Sequence, residues 1–177
     1  TRRLEAWKST NLAPLAALDF AAIVQPALRI DVTNGEAGVR VRSLADVLAS
    51  EPERIARRLG GLADPKRSAL VALSSACAQD GVVVELARGV RAEAPIRIRF
   101  EAPCDAGGGP TASFARLLVL AEAGSEAAVL VEFAGEHAPG FTSHVAELAL
   151  APDARVELVC RQSERAPRIH FTSVHAE

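Results

Sequence analysis

From Gly81 onward, apolar side chains recur at every second position, in paired segments that return at near-regular intervals along the chain. A period of two sends alternate side chains to opposite faces of an extended chain, so one face can be buried and the other wetted. Val82, Val84 and Leu86 alternate with Val83 and Glu85, and Ile96, Ile98 and Phe100 alternate with Arg97, Arg99 and Glu101. The layout returns as Leu118 and Leu120 followed by Val129, Val131 and Phe133. It returns again as Ala146, Leu148 and Leu150 followed by Val156, Leu158 and Cys160. Each unit reads as strand, short turn, strand, with turns at Arg88-Gly89-Val90, Ala123-Gly124-Ser125 and Pro152-Asp153-Ala154. Superposing Leu86, Leu120 and Leu150 gives two nearly equal steps, of the size found in stacked-repeat architectures. One unit cannot bury its own apolar face, so units must stack. A parallel β-helix with one coil per repeat satisfies this, and so does an antiparallel β-sandwich of hairpins. Aromatic residues make up only 4% of the chain, so Ala, Val and Leu must fill the interior, which suits the narrower coil.

Residues 1–79 read as a helical region with a small hairpin, ahead of a β core over residues 80–177. Arg2 to Phe20 carries Leu4, Trp7, Leu12, Leu15 and Leu18 at helical spacing, with Pro14 expected to interrupt it. Over residues 27–42, Leu28, Ile30 and Val32, then Val39 and Val41, flank Asn34-Gly35 as two strands around a tight turn. A helix should follow, capped by Ser43 and Asp46, striped by Leu44, Val47, Leu48, Ile55 and Leu59, and closed by Gly60-Gly61. A second helix should be capped by Asp64 with Pro65 in its first turn. It carries Leu70, Leu73 and Cys77 on one face, and Asp80-Gly81 turns the chain out of it.

Twenty basic and 22 acidic residues are interleaved to a net charge of −2, which excludes an electrostatic grip on nucleic acid. No apolar run is long enough for a membrane helix, and no signal peptide is visible. Three cysteines make no disulfide framework and fit a reducing compartment such as the cytoplasm. The chain begins at Thr1 and has no methionine, and Thr172 to Glu177 lie in a strand pattern, so a piece of a longer protein is expected.

Candidate site residues are few. Cys77, Cys104 and Cys160 lie far apart along the chain, with no Cys-x-x-Cys, so they read as small hydrophobes rather than cluster ligands. Cys104, beside Pro103 and the Gly107-Gly108-Gly109-Pro110 loop, is the one expected at the surface. That loop lacks the Lys-Ser/Thr and helix start of a phosphate-binding loop. His137 sits in a Gly/Pro loop, and His144 is in step with Ala146 and Leu148 at the edge of the core. His170 and His175 are an odd number of residues apart and must face opposite sides of one strand, although stacking can bring His144 near either. Trp7 reads as a packing residue of the first helix. Arg97, Arg99 and Glu101, with Arg88 and Arg91 near them, read as a solvated strand face or a partner groove. No carboxylate pair or nucleophile–histidine set stands out, so no catalytic and no metal residue is assigned, and cofactor-binding residues stay undefined.

Several segments are similar to one known family. Glu5-Ala6-Trp7-Lys8-Ser9-Thr10-Asn11-Leu12 resembles an N-terminal signature of the SufB/SufD family of iron–sulfur cluster assembly proteins. Asp80 to Val90, followed by Ala94-Pro95-Ile96, resembles the entry to that family's core. Arg116 to Val119 with Ala123 to Ala127, and His144 to Glu157, resemble its next two coils. Ser9 stands where the family has an aromatic residue and Ala87 where it has proline, and the short lead before Trp7 is more like the SufD branch. The resemblance implies the first coils of a right-handed parallel β-helix behind a helical region. It implies a cytoplasmic, non-catalytic scaffold acting with SufB and the SufC ATPase, with a homodimer of the full-length chain a further option. Any iron–sulfur cluster would be transient and at the level of the complex, with its ligands C-terminal to this segment. The main rival is a β-helix carbohydrate-active enzyme, disfavoured by one Trp, no Tyr and no export signal, and a generic β interaction module of the sandwich type is the third reading.

Overall fold

The computed structural model describes residues 11–17, 19, 29–33, 36–78, 80–102, 109–135, 139–165 and 167–177. Trp7, Asn34-Gly35, Cys104, Gly107-Gly108 and His137 lie outside the described residues. In chain order the described strands are β1 (Arg29–Thr33), β2 (Val39–Ser43), β3 (Asp80–Leu86), β4 (Ile96–Ala102), β5 (Thr111–Ala121), β6 (Glu126–Gly135), β7 (Gly140–Leu150), β8 (Arg155–Gln162) and β9 (Arg168–Ala176). The described helices are α1 (Ala13–Ala16), α2 (Leu44–Ser50), α3 (Pro52–Ile55) and α4 (Ala69–Cys77).

The strands form two mixed sheets, ordered β2-β3-β5-β7-β9 and β1-β4-β6-β8. From β3 on, successive strands alternate between the two sheets, and each strand from β5 to β9 pairs in parallel with the strand two before it. The antiparallel hairpins of the alternative sandwich are therefore not formed among β3 to β9. Nor is the hairpin expected over residues 27–42. β1 pairs antiparallel with β4 and β2 with β3, so its two strands enter different sheets, each completing a separate ladder.

The turns fall where the sequence places them. Gly89 and Gly124 both have φ of +69°, and Asp153 has φ of 62°, a left-handed conformation that glycine adopts freely and Asp tolerates. The turns stack as the strands do, with the Gly89 amide donating to the Ala123 carbonyl at 3.0 Å and Gly124 to Pro152 at 3.1 Å.

Between the sheets lies the main core: Val82, Val84 and Leu86 on β3, Ile96, Ile98 and Phe100 on β4, Val129, Val131 and Phe133 on β6, and Ala146 and Leu148 on β7. On β5 the inward residues are Ala115, Leu117, Val119 and Ala121, not the expected Leu118 and Leu120. Leu86 pairs with Ala121 and Ala121 with Leu150, so the repeat steps through Ala121, one position beyond the Leu120 that the sequence suggests. The helices cover the outer face of this sheet. Leu44, Val47 and Ile55 pack on Val83 and Leu118, and Leu70, Leu73 and Cys77 pack on Ala112, Phe114 and Phe141. Both faces of β5 are thus apolar, and alternation no longer reports which is inward. On the uncovered second sheet the alternation survives, with Arg97 and Arg99 exposed between buried Ile96, Ile98 and Phe100.

Local signals set the helices with some shifts. The Ser43 hydroxyl accepts from the Asp46 amide at 3.2 Å, the expected cap. The helix stops at Ser50 rather than running to Leu59, because Pro52 cannot continue the hydrogen-bond ladder and instead opens α3. Leu48, expected in the apolar stripe, is 46% exposed. Asp64 does not cap α4. It accepts from the Lys66 amide at 2.9 Å in a turn, and Ser68 caps α4 through the Val71 amide at 3.4 Å. α1 starts at Ala13 with Pro14 in its first turn, where no intrahelical donor is needed, and most of the helical stretch expected over Arg2 to Phe20 lies outside the described residues. Asp80 and Gly81 begin β3 rather than forming a turn, and Asp80 accepts from Gly81 N at 2.7 Å and Ala45 N at 3.1 Å.

At Gly81 the β3 backbone runs so close to β5 that a Cβ would fall on the Arg116 carbonyl. Gly81→Ala is therefore expected to destabilise the protein by about 2 kcal/mol or more, since neither backbone can move without breaking ladder bonds. Urea denaturation measures this, and a loss below about 0.5 kcal/mol would refute the close approach.

Candidate functional site

The apolar interior turns polar at one end, where the first residues of β5, β7 and β9 point between the sheets. Thr111 and Ser113 come from β5, Thr142 and His144 from β7, and Arg168, His170 and Thr172 from β9; Ala115, His144 and Thr172 share one register row. Phe100 and Phe133, register partners on β4 and β6, stack at 5.7 Å and 16° and form the opposite wall. His144 is fully buried against them, its ring 4.7 Å from Phe133 and 5.9 Å from Phe100, and among the described residues neither ring nitrogen has a hydrogen-bond partner. Burial, aided by the charges of His170 and Arg116, lowers its pKa to about 3. His144 is therefore a neutral core residue rather than one at the core's edge.

Beside it, Glu164 leads into β9 with its side chain only 1% exposed. Its carboxylate accepts from the Thr142 hydroxyl, lies 3.4 Å from Arg168 Nε and is 2.6 Å from His170 Nδ1. His170 Nε2 is 2.7 Å from Thr172 Oγ1. Arg168 Nε also donates to the Thr142 hydroxyl at 2.7 Å, and a terminal nitrogen of Arg168 donates to Thr111 at 2.9 Å, so one guanidinium ties three neighbouring strands of the first sheet together. His175 faces the opposite side of β9 from His170, as parity requires, with Nε2 2.7 Å from Ser173 Oγ.

A second polar cluster lies on the outer face of the first sheet. Glu147 on β7 is fully buried and accepts from the amides of Gly60 at 2.9 Å, Leu62 at 3.1 Å and Ala63 at 3.0 Å, and from Arg116 at 2.5 Å. Arg116 also donates to Ser75 at 3.1 Å, so this pair clamps the segment after α3, and α4, onto the sheet.

Near the other end of that face is a cleft of about 660 Å³, floored by Leu120, Ala149 and Leu150 and rimmed by Arg40, Arg54 and Arg58. Its charges are matched from within. Glu85 bonds Arg54 and, at 3.2 Å, Arg42, while Arg42 bonds Glu51 at 2.7 Å. That bond holds the Glu51 carboxyl below the usual carboxylate range and raises Arg42. On the outer face of the second sheet, Arg99 and Arg161 flank Glu132 at 3.7 and 3.9 Å, a mixed, solvated ladder.

Cys77 ends α4, half-buried against the Phe114 and Phe141 cluster. Cys160 holds an inward register position opposite Val131 but is exposed, contrary to the expected buried hydrophobe, because β8 is an edge strand. Its neighbours still desolvate the thiol enough to raise its pKa. Among the described residues no group of three or more His, Cys, Asp or Glu is arranged to hold a metal ion. Neither the Arg116–Glu147 pair nor the Glu164–His170–Thr172 chain is legible in the sequence. Each joins residues whose proximity depends on strand pairing; the one available signal is a charged residue inside an otherwise apolar strand.

The model of the SufBD protein N-terminal region matches residues 31–98, and that of the SUF system FeS cluster assembly SufBD core domain matches residues 104–177. The two models follow one another and leave out only residues 1–30 and 99–103. The chain belongs to the SufB/SufD family. The SufBD core match spans β5 to β9, so the polar end of the interior lies within the core domain, together with Phe133 and His144. The N-terminal match spans β2, β3 and α2 to α4, and so includes the segment that Glu147 clamps. None of the curated proteins matches this SufB/SufD chain. Among its described residues no helix is long and apolar enough to cross a membrane.

Proposed function

We propose that this chain is a SufD-like, non-catalytic scaffold component of the SUF iron–sulfur cluster assembly machinery, working with SufB and the SufC ATPase in the cytoplasm. The observation that carries the reading is the core-domain match over the strands that alternate between two sheets. Parallel pairing of each strand with the one two before it is how coils of a parallel β-helix stack, and we take β3 to β9 as the first coils of a right-handed one. Residues 1–79 are its helical N-terminal region. Such a stack extends by adding coils to β8 and β9, which suits a rigid body that positions partners. The nascent cluster is cargo of the assembled complex rather than a resident group of this segment. SufB and SufC are its partners, by way of regions beyond this segment.

The test is co-expression of the tagged full-length protein with SufB and SufC. A stable complex of the three on size exclusion is expected. Elution of the full-length protein free of both, at micromolar concentration, would remove the scaffold assignment.

A further inference from the structure

The outer face of the first sheet carries one register row that the helices leave open. Arg40 on β2 pairs with Glu85 on β3, Glu85 with Leu120 on β5, and Leu120 with Ala149 on β7. Register partners share a face, so these four side chains stand in line on the side that carries α2 and α3. The helical cover stops one row short. Leu44, Val47 and Ile55 pack on Val83 and Leu118, the row before, with Leu120 half-buried at the margin. The strip beyond is the cleft of about 660 Å³, a size that suits a small organic ligand. Ala149 lies on β7, which is paired on both sides, and a further coil would pair with the far edge of β9. The floor of the cleft therefore does not depend on how many coils follow.

The matching of charges at this cleft is one carboxylate short, because Glu51 and Glu85 serve three guanidinium groups. Arg54 bonds Glu85 and lies 3.7 Å from Glu51, Arg42 takes Glu51 at 2.7 Å and Glu85 at 3.2 Å, and Arg40 reaches only Glu85, at 3.8 Å. The Arg40 side chain is 59% exposed, and so long a contact to an exposed group holds it weakly. Arg58 is matched separately, by Glu177 at 2.5 Å. Glu122, at the turn end of the cleft, forms no ion pair with these arginines among the described residues and disfavours an anion at that end. A ligand in the cleft thus meets an aliphatic floor, Leu120 and Ala149, and at one end a guanidinium with unspent donors. A guanidinium presents its donors as a fork that matches a carboxylate. From Arg40 to Ala149 the row crosses three strand spacings, about 14 Å, which is longer than an extended octanoate.

We propose that this cleft binds aliphatic monocarboxylates, with the alkyl chain on Leu120 and Ala149 and the carboxylate on Arg40. The ligand supplies the acidic group that the Arg40, Arg42 and Arg54 cluster lacks, and its chain covers the part of the sheet that the helices leave bare. No covalent step is involved. The site stands apart from the scaffold role, whose test is complex formation, so the two can fail separately.

The probe is octanoate, titrated into the full-length protein and followed by saturation-transfer NMR, with octanol as the uncharged counterpart of the same chain length. Saturable binding of octanoate with a Kd on the order of 1 mM is expected, the scale for one charge-assisted contact and one short chain in a half-open site. Octanol should bind about 10-fold more weakly, the weight of one hydrogen bond to a charged group. Arg40→Gln should weaken octanoate about 10-fold and leave octanol unchanged, a split that loss of packing alone would not produce. Ala149→Leu fills the floor without touching a charge and should remove the binding of both, and equal thermal melting of either variant and the parent shows that the loss is local. Added salt should weaken octanoate, because Arg40 is exposed and its field is screened. Octanol bound as tightly as octanoate, an Arg40→Gln protein that binds octanoate like its parent, or no saturable binding by about 10 mM in the full-length protein would each overturn the proposal.

Discussion

Glu147→Ala is expected to destabilise the protein by roughly 4 kcal/mol. The carboxylate is fully buried and satisfies four donors: the amides of Gly60, Leu62 and Ala63 and the guanidinium of Arg116, itself only 4% exposed. Truncation leaves a buried cation without its counter-charge and three amides without an acceptor, and each unmet amide costs about 1 to 3 kcal/mol unless water enters. The damage should be local first. Hydrogen exchange at Gly60, Leu62 and Ala63 should accelerate well before the strand amides of β7 do, because those three are held to the sheet by this one side chain. Removing both charges should cost far less: Arg116→Met with Glu147→Leu keeps the volume and leaves no buried ion, and such replacements are often neutral. A double variant as unstable as the single one, or a single variant within about 1 kcal/mol of the parent in urea denaturation, would show that the pair is not what clamps the segment.

The second large effect is acid sensitivity from His144. Burial between Phe100 and Phe133 is the main cause of its low pKa, with the charges of His170 and Arg116 adding to it. In the unfolded chain the imidazole titrates near 6.5; in the folded protein it titrates at about 3. Between those values the unfolded chain binds a proton that the folded protein refuses, so stability declines as the pH falls from about 6.5 toward 3 and does not change from this source above 6.5. At about 1.4 kcal/mol per pH unit the full decline is up to about 5 kcal/mol. His144→Leu, similar in volume, removes that part of the slope. It should also raise stability near neutrality by about 1 kcal/mol, because two unpartnered ring nitrogens leave the core. Carboxylate titration is common to both proteins, so the difference between their pH–stability curves isolates His144. Parallel curves from pH 7 to pH 4 would mean that the ring finds a partner or solvent.

Read alone, the residues settle which segments are extended, where they turn and, on the second sheet, which face is buried. Ile96, Ile98 and Phe100 point inward and Arg97 and Arg99 outward because only one face of that sheet is covered, so polarity follows the pleat. The turns at Gly89, Gly124 and Asp153 and the cap at Ser43 are legible for a similar reason: each depends on one residue's own conformational or hydrogen-bonding preference. The opposite facing of His170 and His175 follows from counting alone. Packing in three dimensions sets whatever depends on a second covering layer or a distant partner. Helices on the first sheet make both faces of β5 apolar, which cancels the alternation and shifts its inward set from Leu118 and Leu120 to Leu117 and Val119. Pairing between strands distant in sequence sends β1 and β2 to different sheets, joins Arg116 to Glu147 and leaves β8 at an edge with Cys160 exposed. Periodicity reports whether a face is covered, not by what. The same strand pattern can serve several pairings, and only the packed whole selects one among them.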